Sequence, residues 1–136
     1  MSELVTLVDR PVVEILFRRT TDDQVGITRA WTELEARFET LRGRKFYGAF
    51  FPGRNEYHVC VERQPQDDPA KLALETGQLA AGRYARVRLT GQPPALYQRI
   101  TPAFTKLAER PDRDDSRPGL EYYRRHDCVD LLLPIG

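Results

Sequence analysis

Two stretches of the chain show the same succession of apolar and polar positions. Residues 11–62 contain three short runs of β-branched and aromatic residues, with apolar positions spaced by three and four between the first two runs. Residues 82–135 repeat this order. Alternation by two is typical of strands, and spacing by three and four is typical of a helix that buries one face. The sequence therefore predicts two βαββ repeats, joined by residues 63–81.

One helix is predicted in each repeat. The first follows Thr20-Thr21-Asp22-Asp23, whose side chains can accept hydrogen bonds from the free N–H groups of a first helical turn. Its apolar stripe includes Trp31 and extends to Leu41, and Gly43 ends it. The second helix contains Pro102, which has no N–H to donate and should bend the helix.

The duplication predicts an α+β fold with pseudo-two-fold symmetry. We expect one domain, residues 1–136, with an antiparallel sheet and two helices on one face. A groove between the repeats is a natural place for a small molecule. Residues 1–10 are predicted as a short lead-in. The predicted strands cover residues 12–19, 46–51, 57–62, 84–89, 120–125 and 129–135.

Composition and charge narrow the possible partners. Hydrophobic residues make up 40% and charged residues 30% of the 136 residues, as in an ordinary globular protein. With a net charge of +1, no strong field attracts nucleic acid or an anionic membrane. The N-terminus lacks the features of a signal peptide, and no apolar run approaches the ~20 residues of a membrane span. A cytoplasmic protein with two reduced cysteines is expected.

A repeated His-Xaa-Cys pair is a candidate metal site. His58-Val59-Cys60 and His126-Asp127-Cys128 both fall near the third strand of their repeat, where spacing by two places both ligands on one face. Four such side chains could bind zinc if the strands met. A buried cysteine is, however, commonly a small apolar residue. We therefore expect no metal and no cofactor. The sequence also has no phosphate-binding glycine loop, no paired HEXXH histidines and no Ser-His-Asp order.

Strand alternation suggests a place for a ligand. If Leu120 faces the helices, then Glu121 and Tyr123 face away from them. If Phe46 faces the helices, Tyr47 also faces away and occupies the same side as Glu121. A carboxylate among aromatic rings would suit a flat or cationic organic molecule. The residue types alone favour the alternative, in which Glu121 is a solvated strand residue and the tyrosines cover the sheet.

Four segments in order resemble a known family. They are the aromatic strand Phe46–Phe51, Gly82-Arg83-Tyr84, Leu120-Glu121-Tyr122-Tyr123, and the closing strand Val129–Ile135. This succession, over residues 11–135, resembles the GyrI-like small-molecule-binding family, which also supplies effector domains of AraC-type and MerR-type multidrug regulators. The resemblance implies that Glu121 is the carboxylate that contacts cationic or polar ligands. Leucine and tyrosine on either side of Glu121 depart from the family pattern, as does Pro102.

The resemblance implies three possible functions. The first is a stand-alone binding protein that sequesters or senses hydrophobic or cationic aromatic compounds. The second is a hydrolase of strained cyclopropane-containing genotoxins, with Glu121 as general base; a raised pKa at Glu121 would favour this function. The third is a protein-interaction module of the gyrase-inhibitor type. The expected ligand-binding residues are Glu121, Tyr47, Phe51, Tyr84, Tyr123 and Trp31.

Overall fold

The computed structural model describes residues 4–136, which form one eight-stranded antiparallel sheet with helices on one face. None of the helices in this range is long and apolar enough to cross a membrane. The elements in chain order are β1 (Val5–Arg10), β2 (Val13–Thr20), α1 (Gln24–Glu35), β3 (Phe46–Phe50), β4 (Tyr57–Glu62), α2 (Pro69–Leu72), β5 (Glu75–Leu79), β6 (Gly82–Thr90), α3 (Ala95–Gln98), α4 (Ile100–Leu107), β7 (Gly119–Arg125) and β8 (Cys128–Pro134).

The strand order shows the duplication. Across the sheet the strands lie in the order β1-β6-β8-β7-β3-β4-β2-β5. The three strands of the second repeat, β6-β8-β7, thus mirror those of the first, β3-β4-β2, about the central pair of β7 and β3. This confirms the predicted α+β fold with two βαββ repeats related by a pseudo-two-fold axis.

Two strands are absent from the sequence prediction. The predicted lead-in, residues 1–10, contains β1, which pairs with β6, while residues 1–3 lie outside the described part of the chain. The predicted connection, residues 63–81, contains β5, which pairs with β2. Both strands form the edges of the sheet. Edge strands bury little of their surface, so their sequences carry only a weak alternation of apolar and polar residues.

The first helix is shorter than predicted. Its start is as expected, because the Asp23 carboxylate accepts a hydrogen bond from Gly26 N at 2.6 Å. The helix ends at Glu35, however, and not at Gly43. The N–H groups of Arg37 and Phe38 bond to carbonyls three residues back, which tightens the last turn. Phe38 packs on the core from a loop, beneath the guanidinium of Arg44.

The second helix is divided in two. Pro102 has no N–H for the carbonyl of Gln98, four residues earlier, and α3 ends at that residue. The bend predicted from the proline is therefore a break at Arg99. The two short helices still bury one apolar stripe, formed by Leu96, Ile100, Phe104 and Leu107.

The sheet curls so that its helix-free face is on the inside of the curve. Residues 11–12 join β1 to β2, and residues 80–81 join β5 to β6, although the strands of each pair lie near opposite edges of the sheet. Such short links require the sheet to curl. Arg10 on an edge strand accordingly donates to the hydroxyl of Tyr47 on a central strand at 2.9 Å, and the Tyr84 hydroxyl donates to the Ala80 carbonyl at 2.7 Å.

Candidate functional site

A long groove lies between the helices on the other face. Helix α1 packs over β2 and β4, and α4 packs over β6 and β8, so β3 and β7 between them form an uncovered floor. The groove has a volume of about 1140 Å³. This exceeds the roughly 300–1,000 Å³ of a typical small-molecule site. Its aromatic lining consists of Trp31, Phe46, Phe50, Tyr57, Tyr97, Phe104 and Tyr123.

The pairing of β3 with β7 decides which side chains face the groove. Gly48 lies opposite Glu121, and Tyr47 lies opposite Tyr122. Residues directly opposite each other share a face. The predicted assignment of Phe46 to the helix side is therefore confirmed, whereas the assignment of Glu121 to the helix-free side is wrong. The prediction failed because Leu120 is buried on the helix-free face, which is as apolar as the other.

The structure divides the six predicted ligand-binding residues between the two faces. Glu121, Tyr123 and Trp31 line the groove. The other three belong to the helix-free face and contact different partners. These are Tyr47, whose ring stacks on Tyr122 at 4.6 Å; Phe51, 4.5 Å from the ring of His58; and Tyr84, whose ring lies under the Arg117 guanidinium at 5.0 Å.

Tyr57 is the main residue that the sequence analysis missed. It opens β4 and sends its side chain across the face of β3 at Gly48. A Cβ at position 48 would lie 1.7 Å from the Tyr57 hydroxyl, so only glycine leaves room for this ring. A glycine in the middle of the aromatic strand Phe46–Phe50 was the available signal for this close approach.

Two tyrosines hold the carboxylate of Glu121. The Tyr57 hydroxyl donates to Oε1 at 2.7 Å, and the Tyr123 hydroxyl donates to the same oxygen at 2.6 Å. Hydrogen bonds to an ionised acceptor are short and strong, so they fix the carboxylate on the groove floor. Neither hydroxyl engages Oε2, which leaves that oxygen available to a ligand.

Glu121 has a raised pKa because burial disfavours its charged form. The hydrogen bonds from Tyr123 and Tyr57 oppose this effect without cancelling it, and the nearby charge of Asp22 adds to it. Burial also raises the pKa of both tyrosines well above the usual value, which keeps their hydroxyls protonated as donors. Within residues 4–136, no Lys, Arg or His forms an ion pair with Glu121.

Aromatic rings enclose the carboxylate from both walls. Trp31 of α1 meets Tyr123 edge-on at 5.5 Å, and Tyr97 of α3 meets the same ring at 6.2 Å. Further along, Phe50 and Phe104 form an edge-to-face pair at 4.5 Å. Such contacts hold the rings in fixed orientations. At Glu121 the site therefore combines a carboxylate with an aromatic surface.

The repeated His-Xaa-Cys pairs do not come together. His58 stacks on Phe17 at 4.7 Å on the helix-free face, while His126 lines the groove. No group of three or more His, Cys, Asp or Glu side chains that could hold a metal ion occurs in the part of the chain that the structure describes.

The raised pKa of Glu121 predicts a pH-dependent cost to stability. A folded-state pKa above the unfolded value means that the protonated form stabilises the fold below the unfolded pKa, and that this stabilisation is lost as pH rises through the folded pKa. Glu121→Gln is neutral at every pH and keeps an Oε1 acceptor. Thermal unfolding should therefore show a higher Tm for Glu121→Gln than for the wild type at pH 7, with the difference disappearing below about pH 4.

The control for this experiment is Glu39→Gln, which removes an exposed carboxylate outside the groove. An equal Tm gain in Glu39→Gln, or a gain in Glu121→Gln that persists in acid, would show that Glu121 carries no burial cost.

Solved structures share this fold over nearly the whole chain. An integron cassette protein from the mobile metagenome of Vibrio cholerae is 15% identical, with a TM-score of 0.72 and coverage of 97% of this chain and 95% of its own. SAV2435, solved bound to tetraphenylphosphonium, is 14% identical, with a TM-score of 0.67 and coverage of 98% and 94%. A hydrolase from Listeria innocua is 13% identical, with a TM-score of 0.61 and coverage of 99% and 93%.

At these identities the likeness extends to the fold alone. No protein-family model matches the chain, and no curated protein matches it in sequence.

Proposed function

We propose that this chain is a GyrI-like binding protein for hydrophobic, cationic aromatic compounds, which it takes up in the groove between α1 and α3–α4. The observation that carries the proposal is the carboxylate of Glu121, which is held on an aromatic floor with no cation paired to it in residues 4–136. An organic cation is weakly hydrated, so it can enter the aromatic groove and neutralise this charge. Metal ions and strongly polar solutes hold their water more tightly and fit such a groove less well.

Each part of the groove has a role in this proposal. Glu121 supplies the charge, and the hydroxyls of Tyr57 and Tyr123 hold it in place. Trp31 and Tyr97 supply ring surface on the two walls. A desolvated cation over an aromatic face gains about 2 kcal/mol or more, in addition to the burial of its apolar groups.

The structural neighbours support this function as an analogy. SAV2435 was solved with tetraphenylphosphonium, a large apolar cation, on the same fold. Sequestration needs only binding, whereas sensing would also need a partner protein that responds to the loaded form.

A matched pair of ions tests the proposal. Tetraphenylphosphonium and tetraphenylborate have nearly the same size and apolar surface but opposite charge. Isothermal titration calorimetry at pH 7.5 should show binding of the cation and none of the anion, because Glu121 attracts one and repels the other. Equal affinity for both ions would mean that hydrophobic burial alone drives binding, and failure of both to bind would refute the proposal for this ligand class.

The pH dependence of cation binding should shift when one hydrogen bond is removed. Cation affinity is expected to fall as pH drops through the pKa of Glu121, since the protonated acid carries no charge. The Tyr123 hydrogen bond lowers that pKa. Tyr123→Phe should therefore lose tetraphenylphosphonium affinity at a higher pH than the wild type.

Tyr122→Phe is the control, because Tyr122 is next to Tyr123 in the sequence but its ring lies on the helix-free face. The comparison measures dissociation constants from pH 4.5 to 8 for all three proteins. Coincident midpoints for Tyr123→Phe and the wild type would show that the Tyr123 hydroxyl does not act on the titrating group.

A second candidate function is hydrolysis of a strained cyclopropane ring. The raised pKa of Glu121 favours it, because a carboxylate lifted by burial is a better general base near neutral pH. Glu121 would take a proton from water as the water oxygen bonds to a ring carbon and the strained C–C bond breaks. The proton returns to the released carbon, so the product equals the substrate plus one water.

Mass spectrometry separates the two functions. Incubation with an excess of a cyclopropane-containing compound should leave its mass unchanged if the protein only binds. Repeated formation of the water adduct by the wild type, and its loss in Glu121→Gln, would establish a hydrolase.

A further inference from the structure

The acidic residues that line the groove carry more negative charge than one monovalent cation would balance. Four arginines line it, and each forms an ion pair with an acid outside the groove, although Asp130, the partner of Arg124, also pairs with Arg88 at 2.7 Å. The pairs are Arg44 with Asp67 at 2.7 Å, Arg113 with Asp115 at 3.5 Å, Arg124 with Asp130 at 3.7 Å, and Arg125 with Asp127 at 3.6 Å.

The acids that line the groove have no such partners. Asp22, Glu35 and Glu109 form no ion pair with another residue in the range 4–136, and neither does Glu121. Four uncompensated carboxylates therefore face a single continuous space of about 1140 Å³. A groove with low-dielectric walls concentrates the field of such charges and attracts ions of opposite sign.

Two of these acids lie at the same end of the groove, on opposite walls. Asp22 precedes α1 and follows Thr20, which pairs with Tyr57, and Tyr57 in turn pairs with Phe50. Glu109 follows α4, whose Phe104 contacts the ring of Phe50. Glu35, at the end of α1, lies about 18 Å away by the length of that helix.

Glu121 is placed a short distance from this end. It lies two residues along β7 from Gly119, the partner of Phe50 in the sheet, which corresponds to about 7 Å. The Phe50–Phe104 pair lies near Asp22 and Glu109, and Phe50, the more exposed of the two rings, offers ring surface to a second cationic group. Arg113 also lies at this end, where Asp115 pairs with it at 3.5 Å. Asp22 is close enough to raise the pKa of Glu121 electrostatically.

We infer that the groove selects elongated aromatic dications, with one positive charge at Glu121 and the second about 7–10 Å away, at the end formed by Asp22, Glu109 and the Phe50–Phe104 pair. This inference rests on the proposed function, since it assumes that Glu121 anchors a cation. It adds the number of charges on the ligand and their spacing.

Two molecules of the same shape test it. N-methyl-4-phenylpyridinium carries one positive charge, and 1,1′-dimethyl-4,4′-bipyridinium has the same two-ring frame with a second charge at its far end. Calorimetry in low salt should show the dication binding about fivefold more tightly, the gain of a partly exposed charge pair. In the double variant Asp22→Asn, Glu109→Gln this advantage should disappear, with the monocation affinity changed less than twofold.

Glu35→Gln, at the opposite end of the groove, is the matched control and should keep the fivefold preference. Each single variant is also measured, so that a failure of the double variant to fold leaves the test intact; each should lose part of the preference. Equal affinities of the two ions in the wild type, with both dependent on Glu121, would overturn the inference and leave the proposed function standing. No binding of either ion, nor of tetraphenylphosphonium, would overturn both.

Discussion

Replacing Glu121 by glutamine is expected to weaken tetraphenylphosphonium binding about 30-fold at pH 7.5, or ~2 kcal/mol. The loss is this large because the carboxylate lies among aromatic rings on the groove floor and has no ion-pair partner in residues 4–136, so its charge is available to the ligand. Glutamine has nearly the same shape and can still accept hydrogen bonds from Tyr57 and Tyr123. The change therefore isolates charge from geometry.

Two comparisons make this result specific. Glu39→Gln removes an exposed carboxylate outside the groove and should leave the dissociation constant unchanged within about twofold. Binding of tetraphenylborate should improve in Glu121→Gln, because the repulsive charge is gone. A Glu121→Gln variant that folds and binds the cation as tightly as wild type would contradict the assigned role.

Replacing Gly48 by alanine is expected to destabilise the fold by about 3 kcal/mol, a Tm loss of about 10 °C. The added methyl would lie 1.7 Å from the hydroxyl oxygen and 2.6 Å from Cζ of Tyr57, a residue that is only 3% exposed. It would also lie 2.9 Å from Oε1 of Glu121. Loss of stability should therefore be accompanied by weaker cation binding.

A double-mutant cycle identifies the cause. In a Tyr57→Leu background the obstructing ring is absent, so the further cost of Gly48→Ala should fall below about 1 kcal/mol. Chemical denaturation of the four proteins supplies the free energies of unfolding. Full additivity of the two changes would show that position 48 needs glycine for a reason other than the Tyr57 ring.

The repeats and most strands could be predicted because their signals are local. The strand Tyr57–Glu62 was predicted with its observed bounds, and Pro102 predicted the interruption of the second helix. The end of α1 could not be placed. Apolar residues at Phe38 and Leu41 continue the helical spacing, yet Phe38 packs from a loop that tertiary contacts hold.

Which residues form the site could not be predicted from local sequence patterns. A period of two shows which residues of a strand share a face but not which face carries the helices. That choice is easy when one face is polar. Here the links at residues 11–12 and 80–81 curl the sheet and bury the second face. Leu120 and Tyr84 on that face therefore lie in apolar surroundings, as the residues of the helix-covered face do. Glu121 was consequently predicted on the wrong face, and its proposed role as the ligand-binding carboxylate came from the family resemblance.

The burial of Glu121 links the two properties that the experiments measure. The shielding that raises its pKa lowers the stability of the fold at neutral pH, and the same shielding strengthens its attraction for a cation. Stability and affinity should therefore change in opposite directions in Glu121→Gln, a trade that is common at binding sites.

The most direct test is a measurement of the pKa of Glu121 itself. Carbon-13 NMR of the labelled side-chain carboxyl gives the titration curve, and the Glu121→Gln variant assigns the signal. In the free protein we expect a titration midpoint above that of an ordinary glutamate, and in saturating tetraphenylphosphonium we expect it to move down, because a bound cation favours the charged carboxylate. A midpoint that stays in place while the ligand is bound would show that Glu121 does not contact the charge of the ligand.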